Sequence, residues 1–457
     1  MRGFWAYGGS PLPRGCRQVG ARAALLAVLV LVLQSSTTTM GAKGKKGGGG
    51  KGAAKGGDLK AKLAAKDAEA ALEKRDLQTA ITKFLVATKA DPGYSDYHTQ
   101  LASAYRSAGM KTEAAKSYET AISMMDEPRN KAGGDQYWAA VHVNLGYVYA
   151  EGGGAGLYPG AMQKAANVFQ RATQLTPTFV EAYTYWGNAL QEMGDMKGAA
   201  QVFQDAIAKF VKGKGKGKGK PKLDVDMAAD KAAMLYFHLA NCQGALGDTN
   251  GALKAYKEAT RVNGAFAAAY TNLGTIYQGR KQNDLARDAL MQAVRIDGQL
   301  AEAYTNLGIA LQDLGQGEEA ERMTGIAVRL KPDLAAGHNN HGRALENNNK
   351  LEAALKSYKK ALQYSGQGYA DAFCAKVYLE HFLCGWDTLD ADMQQVAVNL
   401  EQNLQPQFAA AEPCVQPFRA FAYPLPPPLF RNVTIKIVEQ ERVRLPTGSK
   451  AGDVSEN

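Results

Sequence analysis

The chain has 457 residues, 46% hydrophobic and 21% charged, with a formal net charge of +10, and these proportions describe a globular chain. Its five cysteines (Cys16, Cys242, Cys374, Cys384, Cys414) form an odd set with no CxxC pair, which argues against a disulfide framework or a zinc ribbon. Residues 1–62 hold 11 Lys/Arg against one acid and residues 212–222 hold six Lys and none, so Gly-rich stretches supply the whole basic excess. Such stretches do not pack. A solvated tail and loop are therefore expected, with no specific nucleic-acid partner; weak contact with an anionic surface is the alternative.

At the N-terminus Arg2, Arg14, Arg17 and Arg22 precede the apolar run Ala23–Leu33 and then Gln34-Ser35-Ser36. A charged region, a short apolar core and a small-residue exit make a secretory-signal pattern over 1–36, pointing to secretory or organellar entry. The run is short for a bilayer crossing, so no stable membrane span is expected. The competing reading makes this stretch an extension upstream of a start at Met40. A Lys/Gly-rich linker completes the leader to residue 60.

Internal periodicity decides the next segment. AYTNLGTIYQ, beginning at Ala269 within the unit that starts at Ala267, recurs 34 residues later as AYTNLGIALQ. In that register eight units begin at Ala61, Ser95, Ala139, Val180, Ala233, Ala267, Ala301 and Ala335, spanning 61–368 with inserts at 129–138 and 214–232 and a stretch around Glu151–Leu157. Slot 8 of the unit is small (Ala102, Gly146, Gly187, Gly274, Gly308, Gly342), slots 20 and 27 are Ala, and slot 24 is usually large (Phe84, Tyr118, Phe169, Phe203, Tyr256). Pro or Gly closes many units near slot 32. Slots 4, 7, 8 and 11 share one face of a first helix, and slots 20, 24 and 27 one face of a second. The small residues let the two helices approach, and the large one fills the space beside them. No such hairpin buries its apolar face alone, so the units are expected to stack. Period and slots resemble the tetratricopeptide repeat (TPR). The resemblance implies an all-α fold, a TPR α-solenoid in the form of a right-handed superhelix of helical hairpins, between a disordered N-terminal leader and C-terminal tail.

Slot 6 lies between slots 4 and 7 on the first helices and is expected to look into the concave groove. It holds Lys66, Gln100, Asn144, Tyr185, His238, Asn272, Asn306 and Asn340. An amide donates and accepts at once, so a row of them clamps the backbone of an extended or unstructured protein segment whatever its side chains. Asn144, Asn272, Asn306, Asn340, His238 and Tyr185 are the candidate peptide-binding residues. The alternative is that the asparagines tie one repeat to the next. His338 and His341 stand at slots where other units place Tyr and Leu, which favours packing over metal binding. Cys374, His381 and Cys384 share a helical face but are too loosely spaced to argue for zinc. No phosphate loop, GxGxxG, GxSxG or HExxH is present, so no catalytic residue, metal or cofactor is assigned.

After the repeats, capping helices are expected over 369–404 and an irregular Pro-rich tail over 405–457. Asp371-Ala372-Phe373-Cys374, Cys384-Gly385-Trp386, Asp390 and Met393, followed by the stretch Val415–Leu425 (VQPFRAFAYPL), resemble the junction between the TPR and catalytic regions of protein O-GlcNAc transferases in their plant form. That family moves N-acetylglucosamine from UDP-GlcNAc to Ser/Thr of proteins in the nucleus and cytoplasm. The resemblance implies that the slot-6 asparagines match the ladder with which the family holds substrate peptides. Arg419 stands where the family motif carries an active-site histidine. Past Leu425 the match stops short of the two GT-B lobes, so UDP-GlcNAc is an expected partner only if a catalytic domain follows, and this polypeptide alone is expected not to transfer sugar.

A standalone TPR adaptor or co-chaperone is the other reading. A carboxylate clamp needs Lys at slot 5 with Asn at slot 9. Slot 5 offers no Lys, although Asn188 and Asn241 occupy slot 9. Asn432-Val433-Thr434 fits a glycosylation sequon, meaningful only on the secretory route.

Overall fold

The computed structural model describes residues 54–153, 160–212, 222–223, 229–365, 369–383, 395–396 and 398. The signal-like stretch, the Lys-Gly run between Lys212 and Lys222, Cys384, the junction motifs from Cys384 onward and the Pro-rich tail lie outside those residues. The described residues form helices α1 (Ala54–Glu73), α2 (Leu77–Ala90), α3 (Ser95–Ser107), α4 (Lys111–Ser123), α5 (Gly134–Gly153), α6 (Ala161–Leu175), α7 (Val180–Glu192), α8 (Met196–Phe210), α9 (Ala229–Ala245), α10 (Thr249–Val262), α11 (Ala267–Gly279), α12 (Asn283–Ile296), α13 (Ala301–Asp313), α14 (Gly317–Leu330), α15 (Ala335–Asn347), α16 (Leu351–Ser365) and α17 (Ala370–Phe382). Odd-numbered helices up to α15 are the first helices of eight hairpins. Two compact units divide the chain between Asn263 and Gly264, the first holding five hairpins and the second three with α17. Within each unit every hairpin packs on its sequence neighbour.

The slot chemistry explains each hairpin. Every slot-20 alanine, from Ala80 to Ala354, and every slot-27 alanine, from Ala87 to Ala361, is fully buried. The slot-24 ring or branched chain lies against slot 8 of the same hairpin. A Cβ built on Gly146, Gly187 or Gly274 would come within 2.4, 2.3 and 2.4 Å of Phe169, Phe203 and Leu290. Glycine at slot 8 is thus an approach device, trading about 1 kcal/mol of helix propensity for ring contact.

Slot 15 carries a second regularity, in the backbone. Arg75, Gly109, Gly194, Gly247, Lys281, Gly315 and Asn349 all have φ between +57° and +83°. The next residue's N–H bonds the slot-11 carbonyl each time, as in Asp195 N→Leu190 O at 2.9 Å and Gln316 N→Leu311 O at 2.8 Å. This left-handed closure of the first helix satisfies carbonyls the helix leaves open. Asp76, Asp195 and Asp248 then cap the second helix by accepting from the N–H three residues on. Because L residues are strained at positive φ, Gly194→Ala is expected to lower the unfolding free energy by about 1–2 kcal/mol, and Lys281→Gly to leave it unchanged or raise it by up to about 1. Urea unfolding of the two variants reads the opposite signs; a shared sign would remove strain as the cause.

Three first helices run ahead of the repeat register: α1 starts at Ala54, where the register marks Ala61. α5 starts at Gly134, where the register marks Ala139, and α9 at Ala229, where it marks Ala233. The extra turn of α5 is held by Tyr137, whose hydroxyl bonds Asp96 Oδ1 and Thr99 Oγ1, each at 3.1 Å, and by buried Trp138. The segment before it folds back: Asn130 is buried, accepts from Ser95 N at 3.2 Å and donates to Gly93 O at 3.1 Å and Met124 O at 3.0 Å. The expected insert over 129–138 is therefore a packed clasp. A two-residue antiparallel ladder, Val211 opposite Leu223 and Lys212 opposite Lys222, holds the two ends of the Lys-Gly run together. Among the described residues no helix is long and apolar enough to cross a membrane.

Candidate functional site

Slot 6 precedes slot 8 by two residues, about 200° round the first helix, so it faces away from the second helix that slot 8 touches. Asn144, Tyr185, His238, Asn272 and Asn306 are all partly exposed there, whereas Asn340 is 8% exposed. Their surroundings differ. Asn144 on α5 makes no hydrogen bond to a described residue. Tyr185 on α7 meets Tyr147 of α5 edge-on at 4.7 Å and Phe169 of α6 at 5.6 Å, and the Arg106 guanidinium lies 5.0 Å from the Tyr147 ring. Burial pushes both phenols above their ordinary range. His238 on α9 stacks on Phe203 of α8 at 5.3 Å and 16°, and desolvation pushes its imidazole down to about 4, keeping it neutral.

In the second unit Asn272, Asn306 and Asn340 stand on the consecutive first helices α11, α13 and α15. Asn306 Nδ2 donates to Thr275 Oγ1 of α11 at 3.2 Å, and its Oδ1 has no described partner. Asn340 donates to Ala336 O of its own helix at 2.9 Å and accepts from Arg343 at 3.1 Å. The row thus combines open amides with amides spent inside the scaffold.

Cross-repeat partners come from slots 9 and 12, which the slot-6 reading passed over. Gln278 Nε2 donates to Asn306 O at 2.7 Å, Gln191 Nε2 to Cys242 Sγ at 3.0 Å, and Arg343 Nε to Gln312 Oε1 at 3.1 Å. A signal existed: glutamine ends both AYTNLGTIYQ and AYTNLGIALQ, at slot 12. The slot-5 threonines are turned to their own backbone, with Thr99, Thr184, Thr271 and Thr305 donating to the slot-1 carbonyl at 3.2, 3.4, 3.1 and 2.9 Å. Of the slot-9 asparagines, Asn188 has a buried Oδ1 with no partner among the described residues, and Asn241 accepts from the Tyr256 hydroxyl.

The histidines pack. His338 is buried, bonds Pro332 O through Nε2 at 2.9 Å and stacks on Tyr364 at 5.6 Å. His98 makes the same bond to Pro92 O at 2.9 Å, so slot 4 ties each of these hairpins to the Pro that closes the one before. His341 Nδ1 meets Thr324 Oγ1 at 3.1 Å. Cys374 is buried, and no group of three metal-ligating side chains occurs among the described residues.

A stacked-hairpin repeat with a polar face on its first helices defines a helical-repeat scaffold. The tetratricopeptide-repeat family matches residues 66–132, 181–212, 234–266, 267–300 and 305–370. The chain is a tetratricopeptide-repeat α-solenoid. Among solved structures it is similar to YrrB, described as a TPR protein with an unusual peptide-binding site (20% identity over 44% of this chain and 95% of that one, TM-score 0.35). It is also similar to pilF of Pseudomonas aeruginosa (17%, 51% and 97%, 0.41) and to a tetratricopeptide repeat protein from Parabacteroides merdae (12%, 66% and 98%, 0.42). No curated protein matches the chain.

Proposed function

We propose that the first-helix face centred on slot 6 receives extended, unstructured protein segments and holds them by their backbone. The observation that carries this reading is the Asn306 Oδ1 in the second unit, with the Asn144 amide as its counterpart in the first, each on a partly exposed residue and without a bond to a described residue. A peptide backbone offers one donor and one acceptor per residue, which such amides match without regard to side chains. The Asn272→Ala, Asn306→Ala double variant is expected to weaken binding of several unrelated unstructured peptides together, by roughly tenfold, in fluorescence anisotropy. Equal affinities for wild type and variant would remove the amide row from the reading.

The resemblance at 371–374, 384–393 and 415–425 supports a narrower form: the substrate-recognition region of a protein O-GlcNAc transferase. Added in excess to such an enzyme, the chain is expected to compete for protein acceptors and slow their glycosylation while leaving a short free peptide acceptor unaffected. Absence of competition sinks this narrower form and leaves the broader one standing.

A further inference from the structure

The seventh hairpin departs from its siblings on the outer side. Its slot 24 holds Thr324 where most other units hold a ring, and slot 25 holds Gly325 where the others hold Leu85, Glu119, Gln170, Gln204, Lys257, Met291 and Lys359. Gly325 lies in the interior of α14, at a cost of about 1 kcal/mol against alanine. Packing does not require it. A Cβ at 325 would sit 3.5 Å from His341 Cε1 and 3.7 Å from an Arg329 guanidinium nitrogen, ordinary contact distances, in contrast to the slot-8 glycines. The missing side chain instead opens a groove of about 860 Å³ between α14 and the α15–α16 turn.

The groove carries three cationic residues and one imidazole. Arg322 and Arg329, one turn to either side of Gly325 and on its face, are exposed, and no described carboxylate lies within ion-pair distance of either. Lys350 is committed to Glu321, at 2.8 and 2.9 Å, and Asn348 also donates to that carboxylate at 2.8 Å. Glu321 is therefore satisfied within the scaffold, and Glu318 is the acid left on the rim. Thr324 occupies Nδ1 of His341 and leaves Nε2 for another partner. Burial pushes that imidazole below its ordinary pKa in the free protein, and a bound dianion would push it back up, giving Nε2 a proton to donate.

We propose that this groove is an oxyanion site that takes a phosphate monoester, held by the Arg322 and Arg329 guanidinium groups over the Gly325 floor with His341 at its side. Two unpaired forks suit a dianion with three acceptor oxygens better than a single carboxylate. The site lies on the second-helix side of the hairpins and does not depend on the slot-6 face.

The test titrates the full chain with inorganic phosphate, O-phosphoserine and acetate, followed by 31P line width and by calorimetry. Saturable phosphate or phosphoserine binding, with acetate at least tenfold weaker, is the expected result. The tighter of the two phosphates identifies a free or a protein-borne source. Arg322→Gln with Arg329→Gln should lower affinity at least tenfold, and Gly325→Leu, which fills the groove and removes no charge, should do the same. Phosphate binding unchanged in Gly325→Leu overturns the site in favour of diffuse surface charge. Acetate as strong as phosphate, or no saturation, overturns it as well. Gly325→Ala, which the spacing accommodates, serves as the control that separates lost binding from lost folding, because its helical circular dichroism and melting should match or exceed wild type.

Discussion

Phe203→Ala is expected to lower the unfolding free energy by about 3–5 kcal/mol, the upper range for emptying a filled core position. The side chain is fully buried, turns the tip of its ring to Gly187 of the partner helix and stacks on the His238 ring of the next hairpin, so its loss opens both an intra-hairpin and an inter-hairpin contact. The reverse change probes the same joint. Gly187→Ala gains about 1 kcal/mol of helix propensity but drives a methyl to 2.3 Å from Phe203, and overpacking of a rigid ring should leave a net loss of about 1–3 kcal/mol. In the double variant the methyl enters the space the ring vacated. The two losses should then fall short of additive by at least about 1 kcal/mol, read from urea unfolding of the four proteins. Strict additivity would show that slot 8 and slot 24 do not set each other's size.

Asn130→Ala should cost about 2 kcal/mol. The alanine strands the buried Ser95 N–H, while the Met124 carbonyl keeps its bond from Glu127 N at 3.2 Å and the Gly93 carbonyl its bond from Arg129 Nε at 2.8 Å. A buried group left without its partner loses about 1–3 kcal/mol. Asn130→Asp keeps the acceptor for Ser95 N and removes the donors, so it should fall between wild type and alanine. Alanine and aspartate variants of equal stability would show that Ser95 is not held by this side chain.

The hairpins were legible because side-chain size at slots 8, 20, 24 and 27 is written directly in the sequence and has a single partner inside the same unit. Slot 15 was not legible in that way. Arg75, Lys281, Asn349 and the glycines share a backbone conformation and no side-chain chemistry, so alignment of residue types hides what unites them. Asn130 was hidden for another reason. It falls between repeats, where the period offers no template, and its partners lie 35 and 37 residues upstream as well as nearby. On the candidate face, the position of the slot-6 residues followed from the period, but which amides remain open did not. Whether Asn306 meets Thr275, or Asn340 turns to Ala336, depends on the spacing between neighbouring helices and not on either helix alone.

The slot-12 glutamines also bear on how the molecule is made. Even the bridge from Gln191 to Cys242 joins residues only 51 apart, and the Gln278 bridge joins residues 28 apart. A chain whose long contacts are this near in sequence has little loop entropy to overcome before they form. Within each unit a hairpin then meets its predecessor within a few seconds of leaving the ribosome, at elongation rates of about 5–20 residues per second, before the later hairpins of that unit are made.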